Sequence, residues 1–489
     1  MNKFNFSTIV LTMLITNNLS ANNIDVPLDS PIYEEIERLQ ALGAISTLNT
    51  TTKPYNTKEL LDALSQIEDV RFQSSKEELL NEIGRYDSSG LLDTSASAYY
   101  SHEEQPRTNI GGAPDGDGSA FFANKDGLRL DKDGNVQLSA RLQYINEYFS
   151  LVVTPAYTNS LDENDFELHD TYTRATWKNV NLTLGKEALW MGPSHSGTLL
   201  LSNNAKPVDM LRISNVEPFK LDFLTSPVSN IIGLVDIDFF VGRLDHHDHI
   251  MLPDRSIDDG YPKMVGMQLS FKPLDSFEWG LYRTAMFGGG GRDEGFDTFI
   301  DVLFPTGDVE NQYGLEPGDQ KGGFFATYNS SNDYQPFKLY AEGAGEDAAG
   351  ITPSKWSWIG GVKLFDIVGI RGLSLNYEYI TMDESNAWYR HHVYLDGYTN
   401  DGRIMGHVHG GRGDAHFANI TYQPSMQRTL YASFSRDDFD NGNKANGISA
   451  GIRERLDNNI ELGLSAGYND SNIYDDNYFV ALIGTILQW

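Results

Sequence analysis

Two periods divide the chain. Beyond about Ser95 apolar and polar residues alternate two by two, and before it the apolar positions recur at helical spacing. In the stretch 136–144, Val136, Leu138, Ala140, Leu142 and Tyr144 share one face, while Gln137, Ser139, Arg141 and Gln143 take the other. Val265, Met267, Leu269 and Phe271 repeat the pattern, as do Ile448, Ala450 and Ile452. Ile460, Leu462, Leu464, Ala466 and Tyr468 then oppose Glu461, Gly463, Ser465 and Gly467. Small and polar residues on the second face predict a wet lumen rather than a sandwich core. Arg141, Arg453 and Arg455 on that face would be costly in a dry interior.

The earlier region predicts three short amphipathic helices that pack as a bundle. Ile32, Ile36 and Leu39 line the first, with Pro31 suited to its opening turn. The second starts at Thr57 and carries Leu60, Leu61, Leu64 and Ile67. The third opens on Ser75, with Glu78 at capping-box spacing, and carries Leu79, Leu80, Ile83 and Tyr86. Helices are expected only before about Ser95.

Connection lengths sharpen the strand region into a barrel. The turn at 456–459 is tight, whereas 436–446 and 469–477 are longer, acidic and rich in Asn and Gly. Short turns on one side and long loops on the other is the outer-membrane arrangement. At about 20 to 24 residues per strand and connection, the region after Ser95 accommodates roughly 16 to 20 antiparallel strands.

The two ends agree with export. Lys3 is the first charge, an apolar run follows from about Phe4 to Ile15, and Ala21 precedes Asn22, so residues 1–21 read as a cleaved secretory signal. That run is too short to span a bilayer. At the other end Phe479, Ala481, Ile483, Thr485, Leu487 and Trp489 alternate to the last residue. This resembles the insertion signal of outer-membrane barrels, with Trp where Phe is usual, and it places Trp489 at a membrane interface.

Composition narrows the function. Lys and Arg total 37 against 68 Asp and Glu, a formal net charge of -31, which excludes nonspecific nucleic-acid binding. Cysteine is absent, so stability does not rest on disulfides. No long uncharged apolar run suits a transmembrane helix, and a mean hydropathy of -0.39 looks soluble, as a barrel's does.

The block at 185–215 reads GKEALWMGPSHSGTLLLSNNAKPVDMLRISN. It resembles the most recognisable block of the Wzi-type capsule-assembly family: a Trp-rich Gly-Pro turn, a Leu-Leu-Ser-Asn-Asn run, then a Pro. Similar blocks follow in family order at 266–273, 288–292, 339–347 (LYAEGAGED) and 389–406 (YRHHVYLDGYTNDGRIMG). The helical start, with RLQALGAI at 38–45 and Lys53-Pro54-Tyr55, fits too, so the resemblance covers essentially the whole mature chain. It implies an all-β transmembrane barrel of about 18 antiparallel strands with a periplasmic helical bundle. It also implies a surface lectin that attaches and organises capsular polysaccharide without catalysing a reaction.

Sugar rings offer apolar C–H faces and clustered hydroxyls, so lectin sites pair aromatic platforms with amide, carboxylate or guanidinium groups. Trp190, Asn203 and Asn204 supply those types in one block, and Tyr389, His391, Tyr398 and Arg403, flanked by Tyr394 and Asp401, supply them in the other. The competing reading of each aromatic is girdle or lumen packing, and of the Asn pair a turn. His246, His247, Asp248 and His249, and His407 with His409, Asp414 and His416, have ligand types without an established metal spacing. His407 and His409 would share a face if the segment were a strand. The run Gly288 to Gly291 before Arg292 lacks the Lys-Ser/Thr of a phosphate loop and reads as a flexible hairpin. Glu342, Glu346 and Asp347 read as loop solvation rather than a glycosidase pair.

The sequence thus predicts a signal at 1–21, a periplasmic bundle over 22–94 and a barrel over 95–489. The expected function is nonenzymatic polysaccharide binding, with no catalytic residue, cofactor or metal; the alternative is a porin or sugar channel. Capsular or extracellular polysaccharide, outer-membrane lipid and the barrel assembly machinery are the expected partners.

Overall fold

The computed structural model describes residues 23–104, 123–146, 149–159, 164–221, 225–303, 318–349, 352–382, 388–457, 459–472 and 476–487. The signal segment and Trp489 lie outside the described residues.

Eighteen antiparallel strands close into a barrel. They are β1 (Gly90–Ser101), β2 (Asp133–Ile145), β3 (Phe149–Val153 and Pro155–Asn159), β4 (Asn164–Leu168 and Thr171–Trp177), β5 (Val180–Lys186) and β6 (Asp209–Asn215). There follow β7 (Leu234–Arg243), β8 (Lys263–Leu274), β9 (Phe277–Phe287), β10 (Gly318–Asn329), β11 (Phe337–Ala349) and β12 (Thr352–Leu364). The last six are β13 (Leu373–Met382), β14 (Gly413–Ser425), β15 (Arg428–Phe439), β16 (Lys444–Arg455), β17 (Ile460–Ser471) and β18 (Asn477–Leu487). Closure comes from β1 pairing with β18, Ser95 opposite Thr485, so among the described residues no wall strand keeps an open edge.

The alternation sorts residues as a bilayer demands. Val136, Leu138, Leu142, Ile460, Leu462 and Leu464 are all exposed on the outer wall, and Leu464 is 51% exposed beside the half-buried, inward Ser465. The last strand alternates too. Tyr478, Val480 and Leu482 face outward, whereas Phe479 and Ala481 turn inward and are buried. Both parities are apolar there, so alternation alone did not settle which set meets lipid; the pairing of Ala481 with the inward Ser465 does.

Helices α1 (Ile32–Ala41), α2 (Thr57–Ser65) and α3 (Gln73–Gly84) form the bundle. Asn56 and Glu59 make a reciprocal capping box at the start of α2, at 2.9 and 2.7 Å. The third helix starts at Gln73 rather than Ser75 and has no side-chain cap, because a short 3-10 turn capped by Asp69 leads into it. Val26, Ile36, Leu39, Leu60, Leu64, Leu79 and Ile83 build the bundle's core.

Two further helices correct the expectation that helices end before Ser95. One, α4 (Ser226–Ile232), lies in the β6–β7 connection, and the other, α5 (Phe296–Leu303), in the loop after β9. Val302 of α5 is buried against Val265, Ala285 and Phe287, so this amphipathic helix lies on the outer wall rather than in the lumen.

The bundle sits in the short-turn mouth and touches the wall around much of its circumference. Gln143 of β2 donates to the Tyr86 carbonyl at 2.8 Å, and Arg174 of β4 pairs with Asp25 at 2.6 Å. Lys272 of β8 donates to the Leu48 carbonyl at 2.8 Å, and Gln423 of β14 to the Pro31 carbonyl at 3.0 Å. Lys338 of β11 and Lys363 of β12 reach Glu37 at 3.1 and 2.8 Å, while Arg455 of β16 reaches Glu82 at 2.8 Å. Of the inward arginines that a dry core would penalise, Arg455 is thus offset by the bundle, whereas Arg141 pairs with Asp170 at 2.9 Å and Arg453 with Glu461 at 3.8 Å on the wall itself.

Candidate functional site

Two loops at the opposite end fold back into the barrel and meet. Residues 187–208 follow β5 and 388–412 lead to β14, and they are the two blocks that sequence chemistry singled out. Their contact is mainly side chain to backbone. The Tyr389 hydroxyl donates to the Leu199 carbonyl at 2.7 Å, and the Tyr398 hydroxyl lies 3.0 Å from the Leu200 carbonyl and 2.7 Å from Thr284. Asn204 donates to the Ile404 carbonyl at 2.9 Å, and Arg403 returns two bonds to Asn204, both at 3.1 Å. Ser202 donates to the Gly406 carbonyl at 2.8 Å. Gly406 is needed there, since a Cβ would lie 2.1 Å from the Tyr389 hydroxyl oxygen.

Tyr389 and Tyr398 stack at 5.6 Å with planes 9° apart, and the Lys321 ammonium lies 4.4 Å from the Tyr398 ring centroid. Tyr389 has a φ of 59°, and two backbone bonds hold it there: its N–H to Glu346 at 3.0 Å and its carbonyl to the Tyr398 N–H at 2.9 Å. Burial pushes the Tyr389 and Tyr398 phenols well above their ordinary value. The plug is a packed interior, with Leu199, Leu200, Trp388, Tyr394 and Met405 all fully buried.

The structure places most of the candidate residues inside this plug. Trp190, Asn203, Asn204, Tyr389, Tyr398 and Arg403 are all buried and spend their polar groups within the protein. The Trp190 indole donates to the Ser194 carbonyl at 3.1 Å, and Trp190 pairs with Lys53 of the N-terminal region in a two-stranded sheet. His391 is the exception. It is half-buried, stacks on His392 at 4.7 Å, and has Arg390 and His392, also half-buried, as chain neighbours.

Residues read as bystanders prove to be anchors. Glu342 of β11, expected to solvate a loop, is a buried strand residue that accepts from Ser194 at 2.7 Å and Tyr282 at 2.9 Å. Glu378 of β13 accepts from the backbone N–H groups of His195 at 2.6 Å and Ser196 at 2.9 Å. The signal available in sequence was a carboxylate on the inward parity of a strand, opposite a loop rich in serine. His407 and His409 lie in an irregular segment, not a strand, and His409 pairs with Asp437 at 2.7 Å. Among the described residues no group of three or more His, Asp or Glu is arranged to hold a metal ion.

Ser196, His407 and Glu378 approach one another in a way that invites a hydrolase reading, and the proton positions oppose it. The His409 N–H donates to His407 Nδ1 at 3.1 Å, so the neutral ring carries its proton on Nε2. That Nε2 lies 3.0 Å from Ser196 Oγ and donates to it, while the serine hydroxyl donates to Glu378. Burial, with His409 adding to it, pushes His407 down to about 4, which keeps the ring neutral.

A closed barrel with an outward apolar band, a bundle in one mouth and a packed loop plug at the other end defines a plugged outer-membrane β-barrel. The family model described as capsule assembly protein Wzi matches residues 110–477, and the chain belongs to that family. An uncharacterised 55.8 kDa protein in the cps region of Klebsiella pneumoniae is 24% identical over 341 residues, covering 68% of this chain and 60% of that protein's length. The solved structure of Wzi from Escherichia coli, described as a carbohydrate-binding β-barrel of the outer membrane involved in group 1 capsule assembly, superposes with a TM-score of 0.74 at 19% identity. That match covers 95% of this chain and 99% of the other.

Proposed function

We propose that this protein is a nonenzymatic, lectin-like barrel that attaches and organises capsular or looser extracellular polysaccharide at the cell surface. The observation that carries the reading is that the lumen is occupied from both ends by elements bonded to each other, in a member of a capsule assembly family. A porin would instead keep a continuous aqueous path. Lack of catalysis is supported by the Ser196–His407 geometry, because a ring that donates to the serine cannot take its proton.

The buried candidates serve this function by holding the loops, and His391, with Arg390 and His392 beside it, is the residue placed to meet glycan. The Arg390 guanidinium in this cluster locally offsets the chain's net charge of -31 when the polysaccharide is acidic. Residues 1–21 act as a cleaved signal, 22–94 as a periplasmic bundle, and the barrel is inserted by the barrel assembly machinery with its apolar band against outer-membrane lipid. Deleting the gene should release capsule from the cells, and the purified barrel should be silent in planar bilayers. A steady open conductance with unchanged capsule retention would favour the porin instead.

A further inference from the structure

Among the described residues, the plug packs against one side of the lumen and leaves another side lightly lined. The inward residues Ser433, Ser449, Ser465, Thr485, Ser95 and Ser139 are all half-buried rather than packed. Where this sector meets the plug, a cavity of about 210 Å³ lies between His195, Ser196 and His407 on one side and β14–β16 on the other. Phe417, Tyr431, Ser433, Ser449 and Asp437, whose carboxylate is paired with His409 at 2.7 Å, line the wall side, and Lys125 lines it from the segment after 122.

We propose that this cavity binds one acidic sugar residue, a carboxylate-bearing pyranose of the polysaccharide. The inference rests on the polysaccharide-binding reading above and gives it a specific subsite. Size comes first: the cavity falls below the roughly 300–1,000 Å³ of pockets for drug-sized ligands, so it suits one ring rather than a chain segment. Chemistry comes next. Tyr431 and Phe417 offer aromatic surface to the apolar face of a pyranose. Ser433 and Ser449, 3.2 Å apart, each offer a rotatable hydroxyl able to donate and accept, which suits ring hydroxyls.

Lys125 supplies the charge, and its place is fixed by a residue that sequence reasoning had set against glycan directly. Asn203 donates to the Asn124 carbonyl at 3.2 Å and to Asp126 at 3.1 Å, and its own carbonyl accepts from the Asp126 N–H at 2.8 Å. Asn124 also donates to the Ser196 carbonyl at 2.9 Å. Asn203 is therefore a positioning residue that grips both neighbours of Lys125. Burial pushes the Lys125 ammonium down to about 8, so it still carries its charge at neutral pH. A sugar carboxylate would meet that charge out of bulk water, where the contact is stronger.

The test uses the full chain folded in detergent, with glucuronate and glucose as probes and heat-modifiable migration as the folding control. Glucuronate should saturate one site, and glucose should bind more weakly by roughly tenfold or more, the scale of one charge-assisted contact. Lys125→Gln should weaken glucuronate by a similar factor and leave glucose unchanged, and Ser449→Trp should abolish both by filling the cavity. Lys125→Gln removes no packing, so it remains informative if the bulky variant fails to fold. No saturable glucuronate binding by the wild type, or equal binding by folded Lys125→Gln, overturns the proposal. Titrating the same protein with the surface polysaccharide of its own bacterium separates the two ideas. Polysaccharide bound while glucuronate is ignored removes the subsite alone, and glucuronate bound while polysaccharide is ignored removes the broader function and, with it, the assignment of the cavity to the polysaccharide.

Discussion

Glu37 of α1 and His195 of the plug lie 2.8 Å apart, Oε2 to Nε2, joining the bundle in one mouth to the loop that enters from the other. Lys53, Lys338 and Lys363 crowd the same carboxylate. Burial alone would raise the Glu37 pKa, but His195 and these three ammonium groups hold it well below the usual carboxylate range. Glu37→Gln would leave three buried cations without their shared partner. The expected loss is about 3 kcal/mol, the scale of breaking a buried ion pair from one side. It should appear as a lower urea midpoint for plug unfolding, followed by tryptophan emission, and an unchanged midpoint would show that the network is not structural.

Acidification should loosen the plug in a defined window. The His407 pKa is depressed in the folded state, so the unfolded chain takes up the proton first as pH falls. Stability from this group is full above pH 6.5 and is lost progressively toward about 4, by up to about 3 kcal/mol. Glu37 acts in a lower window, since its contribution is present above its ordinary value of 4.5 and fades only below it. His407→Asn should flatten the pH dependence between 6.5 and 4. Proteolysis of the plug loops across that range is the readout, and identical curves for both proteins would count against the assignment.

Position on the wall should decide tolerance of charge. Leu464 faces outward and Ser465 inward on the same strand. Leu464→Arg should cost roughly 2–4 kcal/mol near the bilayer centre and reduce the amount of folded barrel, whereas Ser465→Arg can hydrate in the lumen. Heat-modifiable migration of both variants measures this, and equal yields would refute the facing.

The wall was legible in the sequence because a strand's period is local. Val136 to Tyr144 and Ile460 to Tyr468 each contain their own inside and outside. The plug was not, because its bonds join residues about as far apart as Tyr398 and Leu200, and no local pattern encodes that meeting. Trp190, Tyr389 and Tyr398 stood out in sequence as glycan candidates, but aromatic and polar groups that bind sugar are also the groups that brace a polar lumen. Helix α5 was missed since its eight residues, with Phe296 exposed and Val302 buried, are too few to separate helical from strand spacing.

The interlock of Tyr398 and Arg403 with Leu200 and Asn204 yields a further expectation. Tyr398→Ala with Arg403→Ala should leave the wall strands intact but empty part of a packed core, costing on the order of 3–5 kcal/mol in the plug. Protease cleavage within 187–208 should rise while circular dichroism of the strands is preserved. Resistance equal to wild type would mean the two loops hold without these bonds.

The most direct measurement of the central claim is to mix the folded barrel with purified surface polysaccharide from its own bacterium. Bound fraction and polymer length are then followed together by size-exclusion chromatography. Saturable binding with the polymer length unchanged is the predicted result. Absence of binding, or shortening of the polymer by the folded protein, would contradict a nonenzymatic polysaccharide-holding barrel.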